Sequence, residues 1–282
     1  MRTYKNYIFD LYGTLVNIDT DENSQKLWQL MADFYNVYGC EWGRKALWHT
    51  FWKYDKAERK AVRKATGIEY PEIKLEKVFA RLLFEVRYHD TGSKIADENI
   101  DALRQRYLDN QEKIISLVAR SEWAMAVSNL FRVASRRSLS LYKNTLKTLD
   151  KLKTDGRKLY ILSNAQRIFT DPEIQGLDLD HYFDKIYLSS DHGMMKPQKE
   201  FLEQLLRREG IDRGETVLVG NEIYSDVLSA LRCDMDCILI NTGMQKKKDI
   251  KKALAKMIKT EKITATSKVE TILSGDVGEI IP

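Results

Sequence analysis

Asp10 closes a short apolar run, Tyr7-Ile8-Phe9, and opens into Leu11-Tyr12-Gly13-Thr14-Leu15. A carboxylate at the C-terminal end of a buried strand is costly unless it has a partner or a use. In open α/β sheets, ligands bind just outside the strand C-termini, so an Asp at this point is a candidate for work on a ligand. Gly13 permits a tight turn there, and Thr14 offers a hydroxyl close to the carboxylate. Three more polar sets fall at or just after the ends of later apolar runs: Ser163-Asn164, Lys196-Pro197, and Asn221-Glu222 with Asp226. Each has a structural alternative. Asp10, Ser163 and Asn164 could form turns, Thr14 could brace its loop, Lys196 could be a solvated surface residue, and Asp226 could cap a helix.

The elements that must position these residues are legible in the hydrophobic pattern. Five short runs read as buried strands: Tyr7 to Asp10, Lys158 to Ser163, Lys185 to Ser190, Glu215 to Gly220, and Cys237 to Thr242. Runs apolar on both faces are what parallel strands need when helices cover both sides of a sheet. Gln198 to Arg208 carries Phe201, Leu202, Leu205 and Leu206 at helical spacing and stops at Gly210; Asp226 to Arg232 reads likewise. Strands alternating with helices in this way predict a doubly wound α/β sheet.

The interval from Thr20 to Ser138 differs. It shows no convincing strand and reads as helices: Lys26 to Tyr38, Leu75 to Tyr88, Ile100 to Arg120 and Trp123 to Val133. We read residues 19–137 as an inserted helical domain and residues 1–18 with 138–282 as the α/β core. Trp48, Phe51 and Trp52 sit three and four apart, which suits a helix-packing core or an apolar lid over a substrate. Beyond Gly243 a basic helix runs from Met244 to Lys259, Lys262 to Thr266 is a candidate edge strand, and Gly275 to Pro282 could dock or hang free.

Composition limits the function classes. Of 282 residues, 43% are hydrophobic and 31% charged, as expected of a globular chain with a buried core. The net charge of +5 is too weak, and too local at Lys246, Lys247, Lys248, Lys251 and Lys252, for a nucleic-acid binder. Three cysteines, none in a CxxC pair, suggest neither a disulfide framework nor a zinc site and fit a reducing cytoplasm. No signal-peptide pattern opens the chain, and no run approaches the roughly 20 apolar residues of a membrane helix.

Phe9-Asp10-Leu11-Tyr12-Gly13-Thr14-Leu15 resembles the first motif of the haloacid dehalogenase superfamily. Leu162-Ser163-Asn164 resembles the second motif, Lys196-Pro197 the third, and Val219-Gly220-Asn221-Glu222 with Asp226 the fourth. Four short motifs in order, each at or just after a strand end, are far more specific than any one. The resemblance implies a Rossmann-like parallel sheet of strand order 5-4-1-2-3 with a helical cap after the first strand. It implies that Asp10 attacks the substrate to give a covalent aspartyl intermediate, that Ser163 and Asn164 hold substrate, with Tyr12 and Thr14 beside them, and that Lys196 offsets negative charge. It further implies Mg²⁺ held by Asp10, the Tyr12 carbonyl and Asp226, with Asn221 and Glu222 as further candidates.

Two positions depart from the phosphatase pattern. Tyr12 stands where most phosphatases of the superfamily carry a second Asp that protonates the leaving group. A phenol with an ordinary pKa of about 10 replaces it poorly, and tyrosine here is typical of the 2-haloacid dehalogenases, whose halide leaves without a proton. Asn221 stands where phosphatases have Asp, although Glu222 and Asp226 could restore charge. The dehalogenases place their substrate-binding arginine in the insert, where Arg44 is a candidate by rough position. The resemblance therefore favours a Mg²⁺-dependent phosphatase of a small, anionic phosphorylated metabolite. A metal-independent 2-haloacid dehalogenase-like hydrolase and a catalytically weak binding or regulatory protein remain as alternatives. The basic residues Arg44, Lys45, Lys53, Lys56, Arg59 and Lys60 could draw an anion or form a solvated face.

Overall fold

The computed structural model describes residues 2–281. The chain opens with β1 (Asn6–Phe9) and β2 (Val16–Thr20), then enters helices α1 (Gln25–Val37), α2 (Arg44–Thr66) and α3 (Leu75–Leu82). A small hairpin of β3 (Lys94–Ile95) and β4 (Glu98–Asn99) precedes α4 (Ile100–Tyr107), α5 (Gln111–Val118) and α6 (Glu122–Ser135), and β5 (Arg136–Leu141) returns beside β2. The remainder alternates: α7 (Thr145–Thr154), β6 (Lys158–Ser163), α8 (Arg167–Gly176), β7 (Lys185–Leu188), α9 (Ser189–His192), α10 (Lys199–Glu209) and β8 (Thr216–Gly220). It ends with α11 (Leu228–Arg232), β9 (Asp236–Ile240), α12 (Lys247–Thr260) and β10 (Val269–Ile272).

Six strands form one parallel sheet in the order β10-β9-β8-β1-β6-β7. β1 is central, and Phe9 pairs with Ile161 on one side and Val219 on the other. Every residue of β1 and β8 is buried, which explains their unbroken apolar runs. Successive side chains still alternate between faces. Tyr7, Phe9, Ile161 and Val217 pack into one core, while Ile8, Tyr160, Leu162 and Leu218 pack into the other.

The helical insert has its own apolar core. Phe51 sits at its centre, 5.1 Å from Trp28, 5.4 Å from Phe79 and 5.6 Å from Phe131 between ring centroids. Such pairs add about 0.5–1.5 kcal/mol each beyond the area they bury. Phe169 on α8 joins this cluster, 6.0 Å from Phe131, so the insert packs directly on a helix of the sheet domain. Of the aromatic triplet on α2, Phe51 is core, whereas Trp48 and Trp52 are only partly buried.

Several sequence expectations need correction. The helix expected to run to Tyr88 stops at Leu82. The helix expected over Ile100 to Arg120 breaks in two, because Asn110 leaves helical geometry at φ −152° and restarts the chain as α5. The edge strand lies at Val269–Ile272 rather than Lys262 to Thr266. The interval read as strand-free holds β3 and β4 and the start of β5. β5 pairs antiparallel with β2, Val16 opposite Leu141 and Ile18 opposite Leu139, and the sequence boundaries at 18 and 138 fall inside this ribbon.

On α12 only Ile250 and Met257 are buried and the lysines face solvent. The tail docks through Val277 and Ile280, both fully buried, and Pro282 lies outside the described residues. Among the described residues, no helix is long and apolar enough to cross a membrane.

Candidate active site

The Asp10 N–H donates to the Val219 carbonyl at 2.8 Å, continuing the β1 ladder one residue past the strand. The chain then turns sharply, with the N–H groups of Leu15 and Val16 both donating to the Leu11 carbonyl at 2.9 Å. Gly13 makes this possible. Its φ is +86°, and a Cβ there would lie 2.4 Å from Asn221 Nδ2.

The end of β6 and the segments that follow β7 and β8 build the surroundings of the carboxylate. Asp10 Oδ1 accepts from Ser163 Oγ at 3.0 Å and from Lys196 Nζ at 2.7 Å. Lys196 Nζ also donates to Asp226 Oδ1 at 2.6 Å. Asp226 Oδ2 accepts from the backbone N–H groups of Asn221 and Glu222, both at 2.9 Å, which together with the lysine hold the side chain in place. Gly220 lets Asp226 come this close, since a Cβ there would stand 2.2 Å from the Asp226 Cγ. Asn164, expected as a substrate contact, brackets the Lys196 peptide: its Oδ1 accepts from Lys196 N–H at 2.7 Å and its Nδ2 donates to Lys196 O at 2.9 Å.

Among the described residues, Asp10 Oδ2 is met only by the Thr14 hydroxyl, at 3.4 Å. The same hydroxyl lies 3.3 Å from Asn221 Oδ1. One proton cannot serve both acceptors, so these two oxygens are under-satisfied and close to one hydroxyl. Glu222 is exposed.

Two buried carboxylates thus share one buried ammonium, leaving a net charge of −1. Burial pushes the Asp10 carboxyl up to about 6, with Lys196 opposing the rise and Asp226 adding to it. For Lys196, burial works against the charge, but Asp10 and Asp226 outweigh it and push the ammonium upward.

Tyr12 is engaged elsewhere. Its hydroxyl bonds the Glu173 carboxylate and lies 3.2 Å from Thr170 Oγ1, and the Arg132 guanidinium lies 5.3 Å from its ring centroid. Glu173, on α8, takes Arg132 Nε at 2.7 Å, a second Arg132 nitrogen at 3.0 Å and Arg136 Nη1 at 2.8 Å. Burial works against the Glu173 charge, yet Arg132 above all holds its carboxyl below the usual range. Burial, then Glu173, push the Tyr12 phenol up. Sequence reasoning missed Glu173, Arg132 and Arg136, since partners 41 residues apart leave no local pattern.

Above the Asp10 loop lies a cavity of about 260 Å³. Tyr12, Asn164 and Thr170 belong to its sheet-domain wall, and Trp52, Asp55 and Arg132 to its insert wall. Arg44 is not in this wall; it sits at the start of α2 and donates to Gln25 Oε1 at 2.6 Å. Lys45, Lys53, Lys56 and Lys60 face solvent, while Arg59 turns inward to Asp55 and Glu72. The converging group Asp178, Asp180 and His181 is exposed and shares no residue with this site.

A doubly wound sheet with an acid and a hydroxyl at the ends of β1 and β6, and a lysine reaching them from the segment beyond β7 and α9, defines a class of hydrolases. The model of the haloacid dehalogenase-like hydrolases matches residues 4–234, and the chain belongs to that family. A glyceraldehyde 3-phosphate phosphatase of Methanothermobacter thermautotrophicus is 35% identical over 103 residues, 36% of this chain and 46% of the relative. A ribulose-1,5-bisphosphate 5-phosphatase of Halopiger xanaduensis is 24% identical over 152 residues, 54% of this chain and 62% of the relative. The chain thus spans about half the length of the curated relatives it matches. A solved HAD phosphatase from Thermococcus onnurineus aligns at 17% identity with a TM-score of 0.44, over 95% of this chain and 94% of that one.

Proposed function

We propose that this protein is a Mg²⁺-dependent phosphohydrolase of a small phosphorylated metabolite, with Asp10 as the nucleophile. The observation that carries the reading is the asymmetry of the Asp10 carboxylate. Oδ1 is fixed by Ser163 and Lys196, while Oδ2 has only a 3.4 Å contact and is free to attack. Oδ2 bonds to phosphorus, the ester P–O bond breaks, and the leaving alkoxide takes a proton from solvent. Water then attacks the phosphorus of the aspartyl phosphate, releasing phosphate and restoring the carboxylate. Lys196 holds the nucleophile in place and offsets charge as it develops. The names of the two curated relatives support a phosphorylated substrate.

The donor set fits a hard divalent cation. The Asp10 carboxylate, the Tyr12 backbone carbonyl and the under-satisfied Asn221 Oδ1 are the residues that would hold it, and Mg²⁺ needs only one or two protein carboxylates. Asp226 would brace Lys196 and the Asn221 backbone rather than ligate. The bound ion would supply positive charge that a site of net −1 lacks for a phosphate dianion.

Phosphate release from p-nitrophenyl phosphate and a metabolite panel, with Mg²⁺ and with chelator, tests the proposal. Turnover surviving in Asp10→Asn would overturn the nucleophile. The engagement of Tyr12 by Glu173 favours one second reading, dehalogenation, in which the leaving halide needs no proton. That reading requires chelator-insensitive halide release from 2-haloacids.

A further inference from the structure

The cavity above the Asp10 loop has more acid than base in its wall. Glu22, Asp55 and Glu72 line it together with Arg59 and Arg132. Both guanidiniums are already committed. Arg59 pairs with Asp55 at 3.1 Å and Glu72 at 2.7 Å, and Arg132 pairs with Glu173 at 2.7 Å. Glu72 is further satisfied by the Ser189 hydroxyl at 2.9 Å.

Glu22 is the exception. Its backbone carbonyl takes the Trp28 indole N–H at 2.7 Å, which fixes the main chain, but its carboxylate has no hydrogen bond or ion pair among the described residues. Burial pushes that carboxyl above its usual range, with Arg132 opposing from beyond pairing distance. In the same wall, Trp52 has a buried indole N–H with no acceptor. A buried donor left unpaired is expensive, and beside that indole N–H the half-buried Glu22 carboxylate is an acceptor without a donor among the described residues, so the two define what is missing. An ammonium only donates, and a carboxylate or phosphate only accepts; a hydroxyl does both.

We infer that this cavity receives the hydroxyl-bearing organic part of the substrate, with Glu22 as a specificity-determining residue that accepts from a substrate hydroxyl and rejects a second anionic group. The inference rests on the phosphohydrolase reading for the identity of the reacting end. A carboxylate or second phosphate placed here would meet Glu22 with no uncommitted cation in the cavity wall among the described residues. The volume of about 260 Å³ lies below the roughly 300–1,000 Å³ of typical ligand pockets, so the organic part is a short polyol.

A matched pair of substrates isolates the effect. Glycerol 3-phosphate and 3-phosphoglycerate share the same phosphorylated carbon and differ by a hydroxymethyl against a carboxylate. The wild type should prefer glycerol 3-phosphate by about tenfold or more in kcat/KM, with most of the difference in KM. Glu22→Gln should shrink that ratio, and Glu22→Lys should invert it. A wild type indifferent to the pair, or a ratio unmoved by Glu22→Lys, would overturn the assignment; should that variant fail to fold by circular dichroism, Glu22→Gln carries the same decision. If neither compound is hydrolysed, calorimetric binding of both to Asp10→Asn decides. Preferential binding of glycerol 3-phosphate upholds the cavity assignment while the phosphohydrolase reading falls, and equal or absent binding of both overturns the cavity assignment itself.

Discussion

The Tyr12 hydroxyl is hydrogen-bonded to the Glu173 carboxylate on α8, so the side chain two residues beyond Asp10 is held in the contact between the sheet domain and the insert. Glu173 in turn binds Arg132 and Arg136 at the end of α6 and the start of β5. The position that could have supplied a proton donor instead ties the Asp10 loop to the insert.

A phosphohydrolase without that donor should depend steeply on the leaving group. General acid catalysis typically contributes about 10²–10⁴-fold, and an alkoxide needs it while a nitrophenolate does not. We expect kcat for p-nitrophenyl phosphate to exceed that for simple alkyl phosphates by at least about 10²-fold. Tyr12→Phe should preserve that ratio while lowering stability by about 0.5–1.5 kcal/mol through the lost hydrogen bond. Comparable rates for aryl and alkyl esters would reveal a proton donor in the protein other than solvent.

The Asp10 carboxyl, pushed up to about 6 from 3.8 chiefly by burial, makes stability depend on pH. The folded state holds this proton more tightly than the unfolded chain does. Its contribution is therefore fully present below about pH 4 and is lost as pH rises through about 6, a swing on the order of 2–3 kcal/mol. Asp10→Asn does not titrate, so urea melts should show the wild type losing ground to the variant between pH 4 and 7. A difference flat across that window would refute the burial account.

Much of the site was legible because its chemistry sits where local pattern is strongest. Asp10, Ser163 and Gly220 end apolar strands buried on both faces, and in space Ser163 bonds Asp10 while Lys196 bridges Asp10 and Asp226. The β2–β5 ribbon was not legible, since Asn17, Asp19, Ser138 and Ser140 are polar and Ile18, Leu139 and Leu141 are only half-buried. The type of Asn164 suits a substrate contact and a structural brace equally well, and its amide bonds both the N–H and the carbonyl of Lys196 from a place in the cavity wall. The Tyr12–Glu173–Arg132 cluster is a tertiary contact between distant segments, and Glu173 looks like any helical glutamate until its burial is known.

Gly220 is a sharper test of the lysine's placement than the lysine itself. A methyl group there would overlap Asp226 at 2.2 Å, and because that atom belongs to a short side chain held by three hydrogen bonds, either the strand shifts or Asp226 releases Lys196. Gly220→Ala should lower stability by about 1–3 kcal/mol and reduce kcat/KM by about 10²-fold through misplacement of the ammonium. Gly176→Ala, with open space around the glycine, serves as the control and should fall within about 0.5 kcal/mol of wild type. Near-normal activity in Gly220→Ala would mean that the Asp226–Lys196 contact does not set the position of the nucleophile.

Metal dependence can be tested through Asn221, the neutral residue at the Asp10 loop. Its Oδ1 lies 3.3 Å from the Thr14 hydroxyl, and Asn221→Asp is close to isosteric, so the change adds one charge and little volume. The Asp10–Lys196–Asp226 group already carries a net −1, and a third carboxylate raises the attraction for a divalent cation without altering the remaining oxygens. The Mg²⁺ concentration giving half-maximal phosphate release should fall by about tenfold, which needs only about 1.4 kcal/mol of extra binding. Chelator should silence both proteins. Phosphate release that persists in chelator would remove the metal from the proposal, and halide release from 2-chloropropionate under the same conditions would move the chemistry to carbon, where the engaged Tyr12 phenol is no handicap.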